Sequence, residues 1–176
     1  MIKLVMFDVF GTVYSFKGVD HSEIKAYADH LREEEWSPLT LPEKWKSLPA
    51  HPGVVKGIES IRKHAMVVTC SNGPLSVQAH LTRLNNIHWD AIVPLELWKA
   101  YKPRPVTYVR VMECLGFSPR ETMMVTANET FGDLEASKDL GMQPCLVCKD
   151  PERVRDGVLC VKSISDIAKE LERLNS

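Results

Sequence analysis

The sequence predicts an α/β fold: a parallel sheet with helices on both faces, three layers in all, and a small helical insertion after the first strand. Three observations point there. Short apolar runs without polar alternation recur along the chain, as expected of strands buried on both faces. From Gly53 onward they alternate with segments whose apolar residues return every three or four positions, the rhythm of helices covering a sheet. Several runs also end in polar residues, and a parallel sheet gathers its chemistry at the carboxyl ends of its strands.

Taken in order, the first run is Leu4 to Phe7. It delivers a carboxylate, Asp8, followed by Gly11 and Thr12. An ionised aspartate ending a buried strand is costly unless hydrogen-bonded or used, so Asp8 reads as a nucleophile or as a cap on the next turn. His21 to Trp36 is helix-prone, with Ile24, Tyr27, Ala28 and Leu31 on one face, and Ser37-Pro38 stops it. Pro42 opens a short second helix to Leu48, and Pro49, Pro52 and Gly53 mark a hinge. Residues 15–52 are therefore expected to form a helical insertion, with 1–14 plus 53–176 as the core domain.

Beyond the hinge, Val54, Ile58 and Ile61 define a helix face, followed by a strand from Ala65 to Thr69. Val77, Leu81 and Leu84 mark the next helix, and Ala91 to Val93 the next short strand. A helix from about Arg104 carries Tyr108, Met112 and Leu115 and ends at Gly116. Ser118-Pro119-Arg120-Glu121 has the spacing of a capped helical turn before a strand at Thr122 to Thr126. A helix from about Phe131 to Leu140, strands at Pro144 to Cys148 and Val158 to Val161, and a helix with Ile164, Ile167, Leu171 and Leu174 buried complete the chain.

Bulk properties narrow the function. Of the 176 residues, 44% are apolar, enough for a sizeable core, and 22 basic against 23 acidic residues leave a net charge of −1. No basic excess points to nucleic acid or an anionic membrane. The chain has no apolar run long enough to span a bilayer and no charged-then-apolar leader, so a soluble, cytoplasmic protein is expected. The five cysteines (Cys70, Cys114, Cys145, Cys148, Cys160) are odd in number and spread out. The lone Cys145-Leu-Val-Cys148 lacks a second ligand pair and reads as strand, so reduced thiols are expected rather than zinc or redox work.

The polar strand ends each have a plain explanation. Ser71-Asn72-Gly73-Pro74 makes a good turn, Lys102 suits a surface, and Asp133 suits the first turn of a helix. Together they supply a carboxylate, hydroxyls, a cation and a second carboxylate in one sheet order.

The order Asp8…Thr12, Ser71, Lys102 and Asp133 resembles the haloacid dehalogenase superfamily of aspartate-nucleophile hydrolases, across nearly the whole chain. The resemblance implies a Rossmann-like core, with 15–52 in the place of that family's mobile cap. Most phosphatases of the superfamily have a second aspartate two residues after the nucleophile, where this chain has Phe10. Losing such acid–base help typically costs about 10²–10⁴-fold. Asp-Val-Phe-Gly-Thr-Val is similar instead to the 2-haloacid dehalogenase branch, whose halide leaving group needs no proton. That likeness implies that Ser71 and Asn72 meet a small anionic substrate, that Tyr108 and Phe10 stand at the site, and that Lys102 and Thr12 hold Asp8. It also implies that Asp133, Asn128 and Thr126 orient the water that hydrolyses an aspartyl ester, without a metal.

The chain departs from the pattern in its Asn128-to-Asp133 spacing, two residues longer, and in its short insertion. Arg32, the only arginine of the insertion, is off the expected spacing for a substrate clamp and otherwise reads as solvated beside Glu33 to Glu35. Trp36 and Trp45 suit either the pocket mouth or packing. Two other functions stay open. One is a Mg²⁺-dependent phosphohydrolase holding its metal on Asp8, Asp133 and the Phe10 carbonyl. The other is an idle relative acting as a binding module. Monomer and homodimer are both compatible with the sequence.

Overall fold

The structure, a computed structural model of the chain, describes residues 1–152 and 156–176. Five strands form one parallel sheet: β1 (Leu4–Phe7), β2 (Met66–Thr69), β3 (Thr122–Thr126), β4 (Gln143–Val147) and β5 (Leu159–Val161). Their spatial order is β2-β1-β3-β4-β5, so chain order reverses beside β1. β1 is paired on both sides, Phe7 lying opposite Thr69 of β2 and Val125 of β3. That reversal is where a doubly wound sheet opens a crevice at its carboxyl edge.

The alternation along β1 explains its unbroken apolar run. Val5 and Phe7 enter one core layer with Ile58 and Ile61 of α2 (Val54–Ile61), Leu81 of α3 (Leu75–Asn85) and Leu171 of α6 (Ile167–Asn175). Leu4 and Met6 enter the other with Tyr108, Val111 and Met112 of α4 (Pro105–Leu115) and Ala136 of α5 (Asp133–Asp139). Each such fully buried aliphatic side chain contributes about 1.5–3 kcal/mol of hydrophobic stabilisation.

Two expected elements differ. Ala91 to Val93 does not form a ladder: only isolated parallel bridges join Val68 to Ala91 and Ser71 to Pro94. Side chains intercept the strand's partners there. The Asp90 carboxylate takes the Val67 N–H at 2.8 Å, and Thr69 Oγ1 takes the Val93 N–H at 3.0 Å. The helix expected over His21 to Trp36 is α1, His21–His30. Glu33, Glu34 and Glu35 follow its end, where negative charge opposes the helix dipole, and Ser37-Pro38 lies just beyond.

Residues 13–15 and 49–51 lie side by side where the chain leaves and re-enters the core around residues 15–52. Tyr14 bridges antiparallel to Ala50, the Ser15 N–H donates to Pro49 O at 2.8 Å, and the His51 N–H donates to Val13 O at 2.9 Å. Between these lie α1 and a 3₁₀ turn, Glu43–Ser47. Trp45, from that turn, is fully buried. No described helix is long and apolar enough to cross a membrane.

Candidate active site

β1 ends at the sheet's carboxyl edge, and the backbone of the next residue is pinned there. The Asp8 N–H donates to Val125 O at 2.9 Å, extending the ladder one residue past the strand. The chain then turns sharply at Gly11, whose φ of 82° suits glycine. That turn brings Thr12 back so that its hydroxyl donates to Asp8 Oδ2 at 2.8 Å while accepting from the Ala127 N–H at 2.8 Å. Thr12 thus ties the carboxylate to the end of β3.

Lys102 reaches Asp8 from the segment before α4. Its Nζ donates to Asp8 Oδ1 at 3.0 Å and to Asp133 Oδ2 at 2.9 Å, with only 1% of the side chain exposed. Asp133 opens α5 after Gly132, whose φ is 110°. Its other oxygen accepts from the buried Tyr108 hydroxyl of α4. The core of the site is therefore one ammonium between two carboxylates, sealed from below by a tyrosine.

Electrostatics follow from that geometry. Burial lowers the Lys102 pKa, but Asp133 and Asp8 together hold it well above the ordinary 10.5. Burial pushes the Asp8 carboxyl up from 3.8; Lys102 pulls it down, Asp133 adds to the push, and the Thr12 hydrogen bond opposes it. Burial, with Asp133 beside it, raises the Tyr108 hydroxyl too, so it stays a donor. Cys70, buried alongside, is pushed up to about 12 by burial and remains a thiol.

Asn72 does something that its motif alone did not reveal. Its Oδ1 accepts from the Lys102 N–H at 2.7 Å and its Nδ2 donates to Lys102 O at 3.2 Å, a two-point clamp that holds the lysine backbone across the crevice. Ser71 Oγ accepts from the Gly73 N–H at 3.1 Å. Gly73 leaves room for Phe10, because an added Cβ would lie 2.4 Å from that ring. Thr126 Oγ1 accepts from the Asn128 N–H at 3.1 Å. Asn128 Oδ1 accepts from the N–H groups of Thr130 and Phe131 at 3.0 and 3.1 Å, which makes a turn of the longer Asn128-to-Asp133 link. This turn is also why α5 begins at Asp133 and not at Phe131.

Above Asp8 lies a cavity of about 100 Å³ lined by Asp8, Phe10, Tyr27, Asn72, Asn128 and Phe131, with Phe16, Ile24 and Ala28. Four of these nine residues are aromatic, and the walls come from both parts of the chain. Phe10 meets Trp45 edge-on at 5.2 Å and Tyr27 at 5.8 Å, and stacks on Phe16 at 6.2 Å. The Phe131 ring lies 5.9 Å from Lys102 Nζ. The structure thus gathers Asp8, Thr12, Lys102, Asp133 and Tyr108 into one bonded cluster, with Asn72 on the lysine backbone and Phe10 and Asn128 in the cavity wall. Ser71 and Thr126 are buried beside it. Arg32 is elsewhere: its side chain is 74% exposed and pairs with Asp29 at 3.4 Å. Trp36 stacks on Tyr101.

Phe16, Tyr27 and Phe131 are cavity residues that the sequence did not mark. Only Tyr27 carried a signal, as part of a helix face, and nothing local separates a cavity aromatic from a core one.

Asp8 and Asp133 are the carboxylates that would hold a divalent cation here, and they already serve protein donors. Both oxygens of each carboxylate already accept protein donors: Thr12 and Lys102 on Asp8, Lys102 and Tyr108 on Asp133. Each oxygen keeps a second lone pair, so a cation held by both carboxylates would share them with the Lys102 ammonium. Among the described residues, no three His, Cys, Asp or Glu side chains gather as metal ligands.

Comparison with known proteins bears on the fold and the family. No curated protein sequence matches the chain. In fold it is similar to an L-2-haloacid dehalogenase at a TM-score of 0.77 and 19% identity, covering 97% of this chain and 100% of that one. It is similar to the Xanthobacter autotrophicus L-2-haloacid dehalogenase with chloropropionic acid covalently bound (0.76, 16% identity, 98% and 99% covered). It is also similar to a phosphatase of the same superfamily from Thermococcus onnurineus (0.72, 19% identity, 97% and 98% covered). A family model described as haloacid dehalogenase-like hydrolase matches residues 8–147, which begins on Asp8 and encloses every member of the cluster. With that match over most of its length, the chain belongs to the haloacid dehalogenase-like hydrolases.

Proposed function

We propose that the protein is a metal-independent hydrolase of 2-haloacid dehalogenase type, acting on a small anionic substrate, with residues 15–52 as a reduced cap. One observation carries this reading. The Asp8 carboxylate faces a small aromatic cavity in which position 10 supplies a phenyl ring where a proton donor would be needed for a poor leaving group. A halide departs as a stable anion and needs no proton.

In this reading Asp8 attacks the carbon bearing the halogen. The carbon–oxygen bond forms as the carbon–halogen bond breaks, and the halogen leaves with the electron pair. Lys102 and Thr12 hold Asp8 ionised and aimed, and the small cavity limits the substrate to a few carbons. Forming the ester removes the charge of Asp8, so Lys102 loses one of its two partners. Water, oriented by Asp133 with Asn128 and Thr126, then attacks the ester carbonyl carbon of Asp8. The bond from that carbon to the substrate oxygen breaks, the 2-hydroxy acid leaves with one of the water's protons, the other passes to solvent, and the aspartate is regenerated. Phe10, Tyr27 and Phe131 limit water to that task. Ser71, Asn72 and Tyr108 hold the walls of the site.

The phosphatase neighbour favours a second reading, Mg²⁺-dependent phosphate ester hydrolysis. One assay separates them: halide release from 2-chloropropionate and chloroacetate, and phosphate release from a panel of esters, each with Mg²⁺ and with EDTA. Halide release that survives EDTA and is abolished by Asp8→Asn is the expected result. Mg²⁺-dependent phosphate release overturns the proposal, and silence in both assays leaves a binding module.

A further inference from the structure

A cavity larger than the one above Asp8 lies elsewhere among the described residues. A groove of about 410 Å³ opens at the carboxyl ends of β4 and β5, lined among others by Lys149, Lys162, His51, Val54, Thr12 and Ala127. It shares no lining residue with the Asp8 cavity. We infer that this groove is a second binding site, for a small phosphate-bearing anion, and that its occupant is felt at Asp8 through Thr12.

Three observations support it. The first is charge. Lys149 and Lys162 line the groove and, among the described residues, no carboxylate does, in a protein whose net charge is −1. The two lysines emerge just past the last paired residues, Val147 of β4 and Val161 of β5, so adjacent strands deliver them to one mouth. Both are exposed, and neither takes part in an ion pair among the described residues. Asp166, four residues beyond Lys162, is engaged by the N–H and hydroxyl of Ser163 at 3.0 and 2.9 Å.

The second is the backbone. Val54 begins α2, a helix with no side-chain cap and no acidic residue in its first turn; its own N–H donates to His51 O at 3.2 Å, and the partial positive charge of that turn lies at the groove wall. His51 completes that wall, held by its contact of Nε2 with Gly11 O at 3.1 Å. Two ammonium groups with a helix start suit a phosphoryl group better than a single carboxylate. The volume lies within the usual range for small-molecule sites.

The third is connectivity. Thr12 and Ala127 line the groove, and the bond between Ala127 N–H and Thr12 Oγ1 is the one that backs the hydrogen bond of Thr12 to Asp8. A ligand resting there touches the clamp on the carboxylate without entering the reaction cavity. Thr12 is a positioning residue in this account.

The test uses pyrophosphate as the probe, in EDTA, with sodium chloride at matched ionic strength as the control for screening. Thermal stabilisation of the full chain that saturates with pyrophosphate up to about 10 mM is expected. Lys149→Gln/Lys162→Gln should weaken the apparent affinity about tenfold or more, whereas Asp8→Asn should leave it unchanged. Halide release by the wild type should change saturably over the same pyrophosphate range, and in the double lysine variant it should not. No saturable stabilisation beyond the chloride control overturns the site. So does equal affinity in the double variant, or loss in Asp8→Asn alone, which would put the anion in the Asp8 cavity. Binding without any effect on halide release by an active enzyme overturns the link through Thr12.

Discussion

Lys102→Met tests the centre of the site most directly. Lys102 Nζ stands 3.0 Å from one carboxylate and 2.9 Å from the other, and its side chain is 1% exposed. At an effective dielectric of about 20, each contact attracts by about 5 kcal/mol. Burying the three ions costs several kcal/mol apiece, so the intact triad contributes little net stability. Removing its only cation is another matter. Methionine keeps most of the apolar stem but leaves Asp8 and Asp133 buried without a counter-ion, at an expected cost of about 3–5 kcal/mol. Urea unfolding at neutral pH, followed by tryptophan fluorescence, measures it. The deficit should shrink as pH falls toward 3.8, because burial already raises the Asp8 carboxyl in the folded chain and the variant loses the Lys102 charge that pulls it down. Lys102→Met/Asp133→Asn should be less destabilised than the sum of the single variants by about 2 kcal/mol, since it removes the repulsion that the first change creates. A cost under about 1 kcal/mol, or strict additivity, would refute the triad as the electrostatic centre.

Two further outcomes follow from neighbouring groups. Above pH 10.5 the unfolded chain releases the Lys102 proton while the folded chain keeps it, so the folded state binds more protons and stability falls as pH rises. Tyr108, also raised above its ordinary 10.0, acts with the same sign. Tyr108→Phe should therefore make the alkaline decline shallower by about 1.4 kcal/mol per pH unit in that range, read from urea midpoints between about pH 9 and 12; an unchanged slope counts against the buried bond to Asp133. Phe10→Ala should cost about 3–5 kcal/mol, because Phe10 is buried against Trp45, Tyr27 and Phe16. Hydrogen exchange should rise first in α1 and the 43–47 turn and leave β1 and β3 protected. Uniform loosening of the whole chain would show that the ring does not anchor the 15–52 segment.

Much of the fold was legible because its signals are local. Leu4 to Phe7 could be read as a strand buried on both faces from four residues, since the same residues that build it must fill both core layers. The helix that became α4 announced its end at Gly116, whose φ of 76° a side chain would strain. Where a long-range group took over a local one, sequence reading fell short. Ala91 to Val93 has strand composition, but Asp90 and Thr69 claim the hydrogen bonds that a ladder needs. The helix after Thr126 began later than periodicity suggested, because Asn128 folds residues 129–131 into a turn.

The sequence by itself determined which chemistry the chain can hold: an aspartate ending a buried strand, a threonine four residues on, a lysine and a late aspartate, with phenylalanine at position 10. Those are covalent facts, and their order along the chain carries them. Only the tertiary structure decided how they are wired. It put one ammonium between two carboxylates, turned Asn72 onto the Lys102 backbone, and made Phe10 an aromatic contact between the core and the 15–52 segment. The physical reason is separation. Lys102 lies 94 residues from Asp8, and Asp133 a further 31 beyond Lys102, so which charge meets which is fixed by sheet order and not by any local spacing.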